Sequence, residues 1–419
     1  MTMDELTRRR FLRASGVAAG AAVAAGAGGL GLAGLLRTGS PERADTTHEG
    51  KLVLVTLYGG NDGLNTIVPY ADPAYHSARP QLAYAPEEIL HLDDRLGLNR
   101  TMRGMKQLWD DKQLAVVLGV GYPLPDRSHF RSMDIWQTAS PREPIPTGWV
   151  GRWLDGTNAT PETAVSFEPV LPPVLAGETR AGACVGVGGL ELPPGITVDS
   201  VSGLGEREAG EPEPQAKAAE AYRNLLRVEG LVRGAEQHHQ PEPGDAGEPL
   251  STGPGSRSVL ETQLALVAQC VEAGVPTRVY SVSLDGFDTH AQALAGQESL
   301  LTRLDRALSA FLMRMARTAA GRQVTVVVYS EFGRRVRANA SQGTDHGTAG
   351  PVFVLGPRVA GGFFGEQPSL TDLDDGDLKA TTDFRDIFGT LLASVLDADP
   401  DRYIGAGYRS TLLPLFRPE

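Results

Sequence analysis

Val324-Thr325-Val326-Val327-Val328 is a run of β-branched residues without the in-out alternation of a half-exposed strand. Such a strand is buried on both faces, which is the situation inside a parallel sheet covered by helices. Working outward, Leu52 to Tyr58, Leu114 to Val120, Arg278 to Leu284 and Val352 to Leu355 read as further strands, with Val324 to Ser330 as the full extent of the first. Helical periodicity is expected over Met102 to Asp110, Phe130 to Ala139, Ala216 to Val232, Val259 to Ala273, Ser299 to Ala319 and Phe384 to Leu396. Strands that alternate with helices predict an α/β fold, a mainly parallel sheet flanked by helices.

One stretch breaks this rhythm. Residues 234–257 carry Pro241, Pro243, Gly244, Gly247, Pro249, Gly253, Pro254 and Gly255, the composition of a mobile loop. With the helix before it, this predicts a helical insertion at about 205–257. Each half of the chain lacks strands that the other supplies, so residues 46–419 are expected to be one domain.

Residues 1–45 read as a targeting segment. Thr7-Arg8-Arg9-Arg10-Phe11-Leu12 introduces an uncharged run from Ala14 to Leu36, mostly Ala and Gly with leucines only at 30, 32, 35 and 36. A basic start, a weakly apolar stretch and a polar exit are the features of a twin-arginine signal, and the low hydropathy favours a signal over a permanent anchor. The expectation is export of a folded protein by the twin-arginine translocase, with membrane contact afterwards only through an uncleaved signal. Six of the 39 basic and four of the 51 acidic residues lie in this segment, so the remainder carries a formal charge of −14. An acidic body repels a polyanion, which argues against nucleic acid as a partner. Two cysteines, Cys184 and Cys270, are too few for a disulfide framework.

Ligands of open α/β sheets bind beyond the carboxyl ends of the strands, so the residues after each strand are the place to look for chemistry. Gly59-Gly60-Asn61-Asp62-Gly63-Leu64-Asn65 follows the first strand, Asp126-Arg127-Ser128-His129 the second and Asp285-Gly286-Phe287-Asp288-Thr289-His290 the third. Glu331-Phe332-Gly333-Arg334 follows the fourth, and Asp345-His346-Gly347 precedes the fifth. Each piece has a structural reading of its own: Asn61-Asp62-Gly63 as a turn, Ser128 as a helix N-cap, Asp345-His346-Gly347 as a polar loop. Five such pieces at one expected edge predict a shared polar site able to hold one or two cations.

These segments, together with Ser128-His129-Phe130 through Trp136-Gln137-Thr138, resemble an exported bacterial family of unknown function within the alkaline phosphatase and sulfatase-like superfamily. The resemblance covers nearly all of residues 50–417. It implies an alkaline phosphatase-like fold, with Asp62 and Ser128 holding one metal and the Ser128 hydroxyl attacking phosphorus or sulfur. It also implies that Asp285 or Asp288, with His290 and His346, holds another. Zinc or manganese suits such N/O ligation. Where the superfamily's enzymes usually carry an Asp-His pair, this chain has Glu331-Phe332. Glu331 retains a ligand's chemistry and Phe332 does not, so a single metal or a metal-free pocket stays open. Arg127, Arg131 and Arg334, with Asn61 and His129, are the candidate contacts to an anionic substrate.

The function this implies is an extracytoplasmic, metal-dependent hydrolase of a small phosphate or sulfate ester with a serine nucleophile. The rival is a non-catalytic exported protein that keeps the fold and binds an anion or a partner.

Overall fold

The computed structural model describes residues 49–157, 159–187, 259–405 and 407–418, together with Gly230. The expected targeting segment, nearly all of the helix expected over Ala216 to Val232 and the loop expected at 234–257 therefore lie outside the described residues.

The strands of the main sheet are β1 (Lys51–Tyr58), β2 (Leu114–Gly121), β3 (Ala164–Ser166), β4 (Ala183–Cys184), β5 (Val279–Asp285), β6 (Val324–Ser330), β7 (Gly350–Leu355), β8 (Gly362–Phe364) and β9 (Thr382–Asp383). Their order is β8-β2-β7-β6-β1-β5-β3-β4, with β9 on β2. Strand β1 pairs in parallel with β5 and β6, and β3 does so with β4 and β5. The sheet is thus mainly parallel, as expected. Strand β7 alone runs antiparallel to both its neighbours, β2 and β6. This reversal matters for the site, because the residues that precede β7 arrive at the same edge as the residues that follow the parallel strands.

The principal helices are α1 (Arg103–Asp110), α2 (His129–Thr138), α3 (Trp149–Gly156), α4 (Val259–Glu272), α5 (Ala293–Met315) and α6 (Phe384–Ser394). They form two layers. Val53 and Val55 of β1, with Val326 and Val328 of β6, pack against α1, α4 and α5. Their neighbours Leu52, Leu54, Val327 and Tyr329 pack against α2, α3 and α6. Side chains alternate along each strand, so burying both sets requires both faces to be apolar, and the unbroken runs in the sequence follow.

Two contacts carry this packing to the site. Trp136 stacks on Tyr329 with ring centroids 5.1 Å apart, fixing α2 to β6. The Tyr122 hydroxyl lies 2.8 Å from Ser132 Oγ and ties the end of β2 to the first turns of α2. The position of His129 is therefore set by a buried helix face. Short strands β3, β4, β8 and β9 and helix α3 were not anticipated; two or three residues give too little periodicity to read, and α3 follows a Pro-rich stretch.

Candidate metal centre

Gly59 and Gly60 leave β1 with φ of +115° and +74°. A Cβ on Gly59 would lie 2.4 Å from Asp288 N, and one on Gly60 would lie 2.3 Å from the Phe332 ring. Only glycine lets the three loops after β1, β5 and β6 come this close.

The loops bring together His129, Asp288 and His346, whose ligand atoms all lie within 4.8 Å of one another. His129 Nδ1 is 2.8 Å from Glu331 Oε1, which also accepts from Gly59 N at 2.9 Å. A carboxylate oxygen accepts, so Nδ1 is the donor here and Nε2 is the nitrogen that faces the centre. That Nε2 is buried without a hydrogen-bond partner and is 3.5 Å from Asp288 Oδ1. His346 repeats the pattern: its Nδ1 donates to the Arg127 carbonyl at 2.9 Å, and its Nε2 faces Asp288 Oδ1 at 3.1 Å. Two imidazole nitrogens thus converge on one carboxylate oxygen, a donor set that a cation could join. Imidazole held by its far nitrogen and aimed by its near one is the usual form of a metal-binding histidine.

Asp288 is held in its anionic form. Burial works against its ionisation, but hydrogen bonds from Arg334 and His346 and the charges of Arg334 and His290 outweigh that and hold its pKa at about 2. His290 Nε2 is 2.9 Å from Asp288 Oδ1 and 2.9 Å from His346 Nε2, a fourth group on the same hub outside the close triad. Two nitrogens and a carboxylate oxygen suit zinc or manganese.

Other residues expected at the site are placed differently. Asp62 is buried, and both its oxygens accept from Arg79 Nη1 at 2.8 and 2.6 Å; it forms a buried ion pair and is not in the triad. Asn61 Oδ1 accepts from Gln297 Nε2 at 2.7 Å and from Thr66 Oγ1 at 3.0 Å, so it holds α5 to the first loop. Glu331, expected as a ligand, stands behind His129 as its carboxylate partner. Asp285 lies outside the triad, and burial followed by the charge of Glu331 pushes its carboxyl pKa up.

The arginines are likewise committed. Arg334 is 1% exposed; it donates to the carbonyls of Gly60 at 2.7 Å, Thr344 at 2.9 Å and Phe287 at 3.1 Å, and to Asp288 Oδ1 at 2.7 Å. It orders the loops and is not free to grip an anion. Arg127 pairs with Asp377, and Arg131 with Asp134. Ser128 occupies the N-cap position of α2 and is exposed, yet its hydroxyl makes no cap bond. It immediately precedes the triad's His129. Phe332 packs against the rings of His129 and His346, with centroids 4.9 and 4.8 Å away, and walls the centre.

A family model described as a protein of unknown function (DUF1501) matches residues 216–406. No curated protein sequence matches the chain. Similar solved structures include a protein in the alkaline phosphatase superfamily from Vibrio parahaemolyticus, 9% identical, covering 83% of this chain and 67% of that chain with a TM-score of 0.35. The phosphonate monoester hydrolase of Silicibacter pomeroyi is 9% identical over 86% of this chain and 78% of that chain, with a TM-score of 0.34. The lipoteichoic acid synthase LtaP of Listeria monocytogenes is 9% identical over 76% and 68%, with a TM-score of 0.33. Identities and TM-scores this low carry no chemistry across, so the site has to be read from its own residues.

Proposed function

We propose that this chain is a metal-dependent hydrolase of a phosphate or sulfate ester that works outside the cytoplasm. The observation that carries this reading is that Nε2 of His129 and Nε2 of His346 converge on Oδ1 of Asp288, each ring held from behind through its Nδ1. On this reading those three side chains hold the ion, and Glu331 and the Arg127 carbonyl keep the two histidines in the required tautomer. A divalent cation bound there would offset negative charge on the ester as it reacts.

Ser128 supplies the nucleophile in this proposal. Its exposed hydroxyl has no capping duty, and the N-terminus of α2 favours negative charge on its oxygen. An anion-binding protein without catalysis has less support, because Arg334 and Arg127, the arginines it would use, are engaged within the fold. The extracytoplasmic setting rests on the twin-arginine segment; among the described residues no helix is long and apolar enough to cross a membrane.

Turnover of an activated aryl phosphate or sulfate by the zinc- or manganese-loaded protein tests the reading. Ser128→Ala is expected to remove activity while metal content stays the same and stability falls by no more than about 1 kcal/mol. Undiminished turnover by that variant refutes the serine mechanism.

A further inference from the structure

Two of the most exposed large apolar side chains among the described residues bracket the proposed nucleophile in sequence. Leu124 is 84% exposed and Phe130 is 91% exposed, with Ser128 and His129 between them. Their exposure is built into a bonded loop. Asp126 N donates to the Tyr122 hydroxyl at 3.2 Å, and Ser128 N donates to Asp126 Oδ1 at 2.7 Å. Arg127 pairs with the buried Asp377, and its carbonyl holds His346. Leu124 itself has φ of +58°, a conformation disfavoured for a leucine, flanked by Pro123 and Pro125. Holding a strained leucine in water beside a catalytic loop costs stability that contact with an apolar ligand would offset.

The polar groups nearby narrow the choice of ligand. Asn61 and Arg334 are buried and bonded within the protein, and Arg127 and Arg131 each pair with a neighbouring carboxylate, so the contacts that Leu124 and Phe130 add for the body of a ligand are apolar. Two side chains are too small a patch for a stable second copy. The chain's net charge of −12 also repels another copy and an anionic lipid surface.

Resting on the hydrolase reading above, we propose that Leu124 and Phe130 form a docking rim for the leaving-group side of the ester. The substrate class is then an amphiphilic monoester, an anionic head on a short alkyl or aryl body.

Calorimetric titration of the zinc-loaded full chain with methylphosphonate and butylphosphonate tests this, since both mimic the anionic head and neither carries an ester bond to cleave. Burial of about half of each added methylene should raise affinity roughly twofold per carbon, or about eightfold from methyl to butyl. In the double variant Leu124→Asn, Phe130→Gln the butyl-to-methyl ratio should fall to about one; asparagine tolerates the positive φ, and both sites face solvent. Methylphosphonate binding with no gain for butyl overturns the rim and leaves the hydrolase reading standing. Binding of neither phosphonate overturns both. A ratio that persists in the double variant, or binding to zwitterionic vesicles that the variant abolishes without any chain-length effect on phosphonates, also overturns it.

Discussion

Glu331 and His129, 202 positions apart in sequence, share a hydrogen bond of 2.8 Å from Nδ1 to Oε1. The carboxylate is buried and anchored by Gly59 N and the Ser330 hydroxyl, so it fixes both the tautomer and the direction of the ring. Every other feature of the proposed centre depends on that ring presenting Nε2 to Asp288.

Glu331→Gln keeps the size and most of the hydrogen bonding of this partner and removes its charge. Loss of such a partner commonly weakens metal binding by about 10–100-fold. Competition with a chelator should show a fall of that size in zinc affinity, with the circular dichroism spectrum preserved. An unchanged affinity would detach Glu331 from the centre.

Asp62 is the place where structure and resemblance part most sharply. Its pairing with the fully buried Arg79 predicts a structural role. Breaking a buried ion pair costs about 3–5 kcal/mol because the remaining charge has no partner. Asp62→Asn should therefore lower the urea midpoint strongly while the protein that stays folded keeps its full metal content. Selective loss of metal at unchanged stability would return Asp62 to the ligand set.

The core strands could be read from the sequence because both sheet faces are apolar, and the loops carrying chemistry could be found because each begins where such a run ends. His346 came within that rule although β7 is reversed, since an antiparallel strand enters from the edge where its parallel neighbours leave. What the sequence hid was which polar group pairs with which. Asp62 with Arg79, Asn61 with Gln297 and His129 with Glu331 are contacts made by folding between segments with no shared periodicity. The sequence offers His129 as a candidate substrate contact; its place in the first turn of α2, next to an N-cap, is the available hint of a more central role. Phe332 read as a missing ligand, and its ring contacts with His129 and His346 show a packing role that only the fold reveals.

Export through the twin-arginine route makes its own prediction. Replacing Arg8 and Arg9 by Lys should hold the folded precursor in the cytoplasm, as judged by fractionation of cells expressing the full chain. Undiminished export of that variant would remove the route.

The central claim is that His129, Asp288 and His346 hold a divalent metal ion, and elemental analysis of the purified full chain measures it directly. The account predicts about one zinc or manganese ion per chain, lost in both His129→Ala and His346→Ala while the fold persists. A folded wild-type protein that takes up no stoichiometric divalent metal, even after incubation with zinc and manganese, would contradict it.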